Sequence, residues 1–324
     1  MKLKEKWSPK ASHRLLSLMN IQAVIIIMLL CVRIAVELVD KTEIFESWFS
    51  IVTGVFTAVL GGLIVFWCSR LYIYLRFYST RFITFEADTK QVLRLSKKVP
   101  NLEYSVGEKR WEEVGTQNIV FGGSDGNLLL RGRNKKGMDS AKISFATDAQ
   151  VICTGDIRTL VDYEHYDKAN TKKAVFKWLF SGCKQLVVAP ELPSTDLARN
   201  CYKGMFYNCT SLRTAPELPS TNLAENCYSK MFSGCTSLKQ APKLPDAGLV
   251  KNCFLKMFYD CTSLSNVTML AKKIDADCYE YLNGWLKHTS SEGTFHVNNK
   301  AEYAEWRENK IIPKKWKVES VNTK

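Results

Sequence analysis

The hydrophobic pattern changes character three times along the chain. Residues 15–32 form an uncharged run of 18, and residues 47–69 an uncharged run of 23. At the α-helical rise these would cover roughly 27 Å and 34 Å, against a hydrocarbon core about 30 Å thick. Both are therefore expected to be transmembrane helices. The short acidic link between them, with Asp40, Glu43 and Glu46, allows only a tight turn and makes them antiparallel neighbours. From residue 82 the runs become short and alternating, at 83–87, 92–95, 102–106, 118–121 and 127–132. Turn signals such as Val99-Pro100-Asn101 and Gly122-Gly123-Ser124-Asp125-Gly126 separate them. This predicts short strands in a small antiparallel sandwich or barrel.

The third pattern is a repeat of 26 residues. Asn200-Cys201-Tyr202 returns as Asn226-Cys227-Tyr228 and as Asn252-Cys253-Phe254. Cys209-Thr210-Ser211-Leu212 returns as Cys235-Thr236-Ser237-Leu238 and as Cys261-Thr262-Ser263-Leu264. Ala189-Pro190-Glu191-Leu192-Pro193 has matching copies at 215 and 241. Such a unit cannot bury its apolar face alone, so neighbours must stack. Within a unit, Tyr202-Lys203-Gly204-Met205-Phe206 reads as a short helix, and Cys-Thr-Ser-Leu leads into a brief strand. Four units fit between residues 174 and 275, followed by a degenerate cap with Trp285 and Trp306. The columns Leu212, Leu238, Leu264 and Met205, Met231, Met257 are expected to be buried.

The repeat resembles the BspA-type leucine-rich repeat of Bacteroidales proteins and some of their phages. The resemblance extends to the segment before the repeats, through Leu102-Glu103-Tyr104-Ser105-Val106, Leu130-Arg131-Gly132-Arg133-Asn134 and Cys153-Thr154-Gly155-Asp156-Ile157. It also extends to an ending with Asn283-Gly284-Trp285-Leu286 and Trp316. It implies an α/β solenoid, and the family is associated with surface-exposed or adhesive proteins. The double-spanning anchor in place of a cleaved export signal is a departure that points away from an adhesin.

The expected fold class is thus a multidomain membrane protein. It combines a two-helix transmembrane hairpin, a small β-rich sandwich-like domain and an α/β leucine-rich-repeat solenoid of 26-residue units. The expected divisions are a basic tail (1–14), the hairpin (15–70), the β-rich domain (82–150), the repeats (151–275) and the cap (276–324).

Charge sets the expected topology. The chain carries a formal net charge of +13, and basic residues flank the two apolar runs, with Lys2, Lys4, Lys6, Lys10 and Arg14 before and Arg70, Arg76 and Arg81 after. The positive-inside rule puts both ends in the cytoplasm of a bacterial inner membrane. Small residues Gly54, Ala58 and Gly62 make a smooth helix stripe. It suits packing within the hairpin or self-association between chains. The 11 cysteines include aligned columns such as Cys183, Cys209, Cys235 and Cys261, but no Cys-x-x-Cys. Small buried residues are the expectation there, consistent with a reducing compartment.

No catalytic constellation, cofactor motif or metal-ligand spacing stands out, so no enzyme, cofactor or metal site is expected. His165, within Asp162-Tyr163-Glu164-His165-Tyr166-Asp167, is expected in a solvated loop. Arg131, Arg133, Lys135 and Lys136 form a candidate basic patch for lipid headgroups or an acidic partner, with nucleic acid disfavoured. Positions that vary between units at one register are the candidate recognition face: Lys203, Ser229 and Leu255, and Arg213, Lys239 and Ser265. The expected function is recognition of a ligand, most simply a protein, by a membrane-anchored, cytoplasm-facing repeat domain. Expected partners are therefore the lipid bilayer, a protein bound through the repeats, and further copies of the chain. Two alternatives stand beside it: a membrane-perturbing effector of a bacterial defence system, and an adhesin-like surface protein if the topology is reversed.

Overall fold

The computed structural model describes residues 82–107, 109–169, 171–244, 247–271, 278–298 and 311–321. The chain divides into two units, Met1–Arg76 and Phe77–Lys324, and every described residue belongs to the second. The hairpin expected at 15–70, with Gly54, Ala58 and Gly62, lies outside the described residues. Among the described residues no helix is long and apolar enough to cross a membrane. The α-helix found there, α1 (Cys278–Tyr281), has four residues, where a crossing needs about 20. The expectation of a two-helix inner-membrane protein is corrected accordingly: among the described residues the regular structure is mostly β-strand.

The alternating segments form strands: β1 (Ile83–Glu86), β2 (Gln91–Leu95), β3 (Leu102–Val106), β4 (Glu112–Glu113), β5 (Ile119–Phe121), β6 (Leu128–Gly132), β7 (Ile143–Phe145), β8 (Val151–Thr154) and β9 (Leu186–Val188). A six-stranded sheet runs β4-β3-β6-β1-β8-β9, antiparallel except for the β8–β9 pair, and a three-stranded antiparallel sheet runs β5-β2-β7. Phe85 of β1 meets Phe121 and Phe145 of the smaller sheet at 6.3 and 5.8 Å between ring centroids. Gln91 is fully buried in β2, and its amide is fully used. It donates to Thr147 O and Ala149 O at 3.1 and 2.8 Å, and accepts from Val92 N–H and Thr147 N–H at 2.9 Å each. The wall of the core continues into the repeats, where Phe180 stands 6.2 Å from Phe85.

The repeats do not form the expected α/β leucine-rich-repeat solenoid. The stretch predicted to be a helix is a run of turns with a positive φ at every fourth residue: Asn200, Gly204 and Asn208, then Asn226, Lys230 and Gly234, then Asn252, Lys256 and Asp260. An α-helix sends each N–H four residues back. Here every second N–H leaves its own unit. Tyr202, Gly204, Phe206 and Asn208 donate to the carbonyls of Cys227, Ser229, Met231 and Ser233 at 2.8–2.9 Å, while Cys201, Lys203, Met205, Tyr207 and Cys209 donate three residues back. Bonding between units has displaced the helix. The stacking that results is close, with Phe180, Phe206, Phe232 and Phe258 parallel at 5.5–5.6 Å. A second aromatic column, Phe176, Tyr202, Tyr228 and Phe254, stacks at 5.8–6.2 Å. The Leu212, Leu238, Leu264 and Met205, Met231, Met257 columns are fully buried.

Strand structure in the repeats is equally sparse. Val188 and Thr214 make only an isolated bridge, and regular pairing resumes in a parallel sheet ordered β10 (Gln240–Leu244), β11 (Asn266–Met269), β12 (Thr294–Val297) and β13 (Lys317–Ser320). Proline explains much of the gap. Pro190, Pro193, Pro216 and Pro219 carry no N–H to give to a ladder.

Candidate recognition faces

The turn run decides which varied positions reach solvent. The carbonyls of Lys203, Ser229 and Leu255 accept the bonds between units, from Trp178, Gly204 and Lys230 N–H at 2.8–2.9 Å. Residues whose backbone lies in that wall are drawn in with it. Lys203 and Leu255 are half-buried, and Ser229 is buried, with an Oγ that finds no hydrogen-bond partner. This column is not an open face. Arg213 and Lys239 are different. They stand one residue before the strand stretch of their units, and both are exposed. Arg213 N–H bonds to Val187 O and Ser265 N–H to Lys239 O, at 3.0 and 3.1 Å, so each bond joins residues 26 apart in neighbouring units. Ser265 is half-buried at the end of this column.

The parallel sheet adds a polar row absent from the sequence-based set. Asn266, His296 and Glu319 lie on β11, β12 and β13, beside Thr268, Thr294 and Lys317. Asn266 Nδ2 and His296 Nε2 are 3.3 Å apart, and His296 Nδ1 stands 3.9 Å from the Glu319 carboxylate. The signal was present in Thr294-Phe295-His296-Val297, where polar and apolar residues alternate. Phe295 and Val297 are buried, and Thr294 and His296 face outward.

The basic patch is largely spent on internal contacts. The Arg131 guanidinium lies between the rings of Trp111 and Tyr163, at 4.0 and 4.2 Å, and pairs with Glu103 at 2.6 Å. Arg133 pairs with Glu164 at 2.7 Å and donates to Tyr163 Oη at 2.8 Å; the Glu164 carboxylate raises its pKa. Lys135 and Lys136 remain exposed. Asp162, Glu164 and His165 bring one ligand atom each within 4.8 Å of one another. That cluster is accounted for by the loop itself. Asp162 Oδ1 accepts from the Glu164 and His165 N–H groups at 3.1 and 3.2 Å, and Glu164 holds Arg133.

The cysteine columns are inert interior. Cys183, Cys209, Cys235 and Cys261 donate from Sγ to Ile143, Phe180, Phe206 and Phe232 carbonyls at 3.0–3.1 Å. Burial pushes the thiols of Cys183, Cys201 and Cys261 up to about 12, and those of Cys209 and Cys235 well above the ordinary range. A thiol held protonated is a poor nucleophile and a poor metal ligand.

No protein-family model, curated protein or solved structure matches the chain.

Proposed function

We propose that the chain is a binding protein that recognises an acidic stretch of a partner protein along the Arg213–Lys239 column. The observation that carries this reading is the column itself: two exposed cationic side chains, 26 residues apart, repeated at one register on a closely packed stack. A frame of this kind needs little ordering when it binds, which favours affinity. The chemistry around it supports binding over catalysis. Among the described residues the thiols of Cys153, Cys183, Cys201, Cys209, Cys227, Cys235, Cys253 and Cys261 are buried, whereas His165 and His288 pair with Asp162 and Asp260 on exposed turns.

The test is co-purification of the tagged full chain from its native host, followed by reconstitution with the purified partner. Arg213→Glu with Lys239→Glu is expected to weaken that binding by at least about tenfold while leaving the fold unchanged. A partner bound equally well by both chains would overturn the assignment of this face.

A further inference from the structure

β13 lies at the opposite end of its sheet from β10, the strand that Lys239 immediately precedes. β13 is the last strand of its sheet, and no described residue pairs with its outer edge. Its inner edge is engaged, with Lys317 N–H donating to Gly293 O at 2.8 Å and Val321 N–H to Val297 O at 2.7 Å. Alternate residues of a strand direct their main-chain groups to opposite edges. Val318 and Ser320 therefore direct theirs outward. The side chains follow the other alternation: Val318 is buried, while Lys317 and Glu319 are exposed on the opposite face. Glu319 approaches His296 only at 3.9 Å, and Lys317 has no ion pair among the described residues.

We infer that a second copy of this chain adds antiparallel to this edge, about a two-fold axis at Val318. The charge pattern selects that register. Centred on Val318, Lys317 of each copy faces Glu319 of the other. Centred on Trp316, Lys317 would face Lys315, a repulsive pair; centred on Ser320, the charges would have no opposite partner. At the Val318 axis the outward main-chain groups also match. Val318 exchanges both hydrogen bonds with Val318 of the second copy. A lone charge on an edge strand normally keeps other strands away. Here the two charges have opposite sign and are two residues apart, so the symmetry turns repulsion into two matched pairs. A C2 interface has this self-complementary character.

The test uses two differently tagged full chains, mixed at up to about 200 µM because so short an edge gives a weak, exchanging dimer. The native chains are expected to co-purify. Lys317→Glu alone places Glu opposite Glu, and Glu319→Lys alone places Lys opposite Lys. Each variant should lose self-association by at least about tenfold. Mixed together, the two variants restore both opposite-charge pairs and should co-purify as well as native. Ser320→Pro removes an outward N–H from an exposed position, spares the inner ladder, and should also abolish association. Near-ultraviolet circular dichroism checks that each variant is folded. Absence of native self-association overturns the inference. So does association that survives the single reversals, or a failure of the mixed reversals to restore it.

Discussion

The indole of Trp178 fills the space in which a side chain at Gly204 would stand. A Cβ built there collides with the ring, and Gly204 also holds φ at +59°. Trp178 is itself held at φ 62° and packs edge-on against Tyr207, with centroids 5.5 Å apart. The first repeat thus lays a large ring across the second at Gly204, the one position of that unit without a side chain.

Gly204→Ala is therefore expected to cost about 2–4 kcal/mol, from a left-handed backbone and a forced overlap together. Gly248→Ala is the control, because nothing stands within 4 Å of its Cβ and its φ is not positive. It should change stability by less than about 0.5 kcal/mol. Urea denaturation of the two variants separates the cases.

Removing a ring from the stacked column should cost more. Phe232 is fully buried between Phe206 and Phe258, at 5.5 and 5.6 Å. Phe232→Ala is expected to destabilise by about 3–5 kcal/mol, the usual loss for a buried aromatic truncated to alanine. A midpoint shift in urea with unchanged slope is the measurement.

The tyrosine column offers a finer comparison. Tyr228 Oη is 2.7 Å from Ser220 Oγ, which also bonds to Ser194 O at 2.8 Å, whereas Tyr202 Oη donates to Ser194 Oγ at 3.3 Å. Tyr228→Phe is expected to cost about 1 kcal/mol. Tyr202→Phe should cost less, since its bond is longer. Denaturant midpoints measured side by side check the order.

The buried thiols also make stability depend on pH. An unfolded cysteine ionises at about 8.5, whereas Cys183, Cys201 and Cys261 hold their protons up to about 12 when folded. Above the unfolded value the unfolded chain has lost protons that the native chain keeps, so stability falls as pH rises. The contribution is complete below the unfolded pKa and declines through the window toward 12. Urea midpoints should drop steadily from about pH 8.5 upward. Ellman's reagent at pH 8 should leave these three thiols unmodified in the native protein and label them in denaturant.

Much of the strand pattern was legible in the sequence because its period is two and turn residues bound it. β3 occupies the residues expected, Leu102–Val106, and β1, β2, β5 and β6 differ by one residue at an end. The predicted helix failed for a definite reason. Tyr202, Met205, Phe206 and Cys209 are buried and have helical spacing. A turn run with a period of four gives the same spacing over so short a stretch. What distinguished them was the recurrence of Asn, Gly or Asp at residues 200, 204 and 208 and again at 252 and 260, residue types that tolerate positive φ. The pairing of Arg131 and Arg133 within the basic patch was not legible because their neutralising partners are remote. Glu103 lies 28 residues before Arg131, and Glu164 lies 31 after Arg133. No local pattern announces such pairs.

The alternating donors of the turn run have a mechanical consequence. Because Tyr202, Gly204, Phe206 and Asn208 bond to the next unit, those bonds lie along the direction in which the units are stacked. Tension applied between the two ends of the stack is carried by every layer, shared within a layer among its bonds, and the weakest layer parts first. Each rupture would pay out one 26-residue length of chain, roughly 90 Å when drawn straight. An optical trap would record this as a sawtooth of even steps, and the stack would act as a shock absorber whose travel is set by the number of layers.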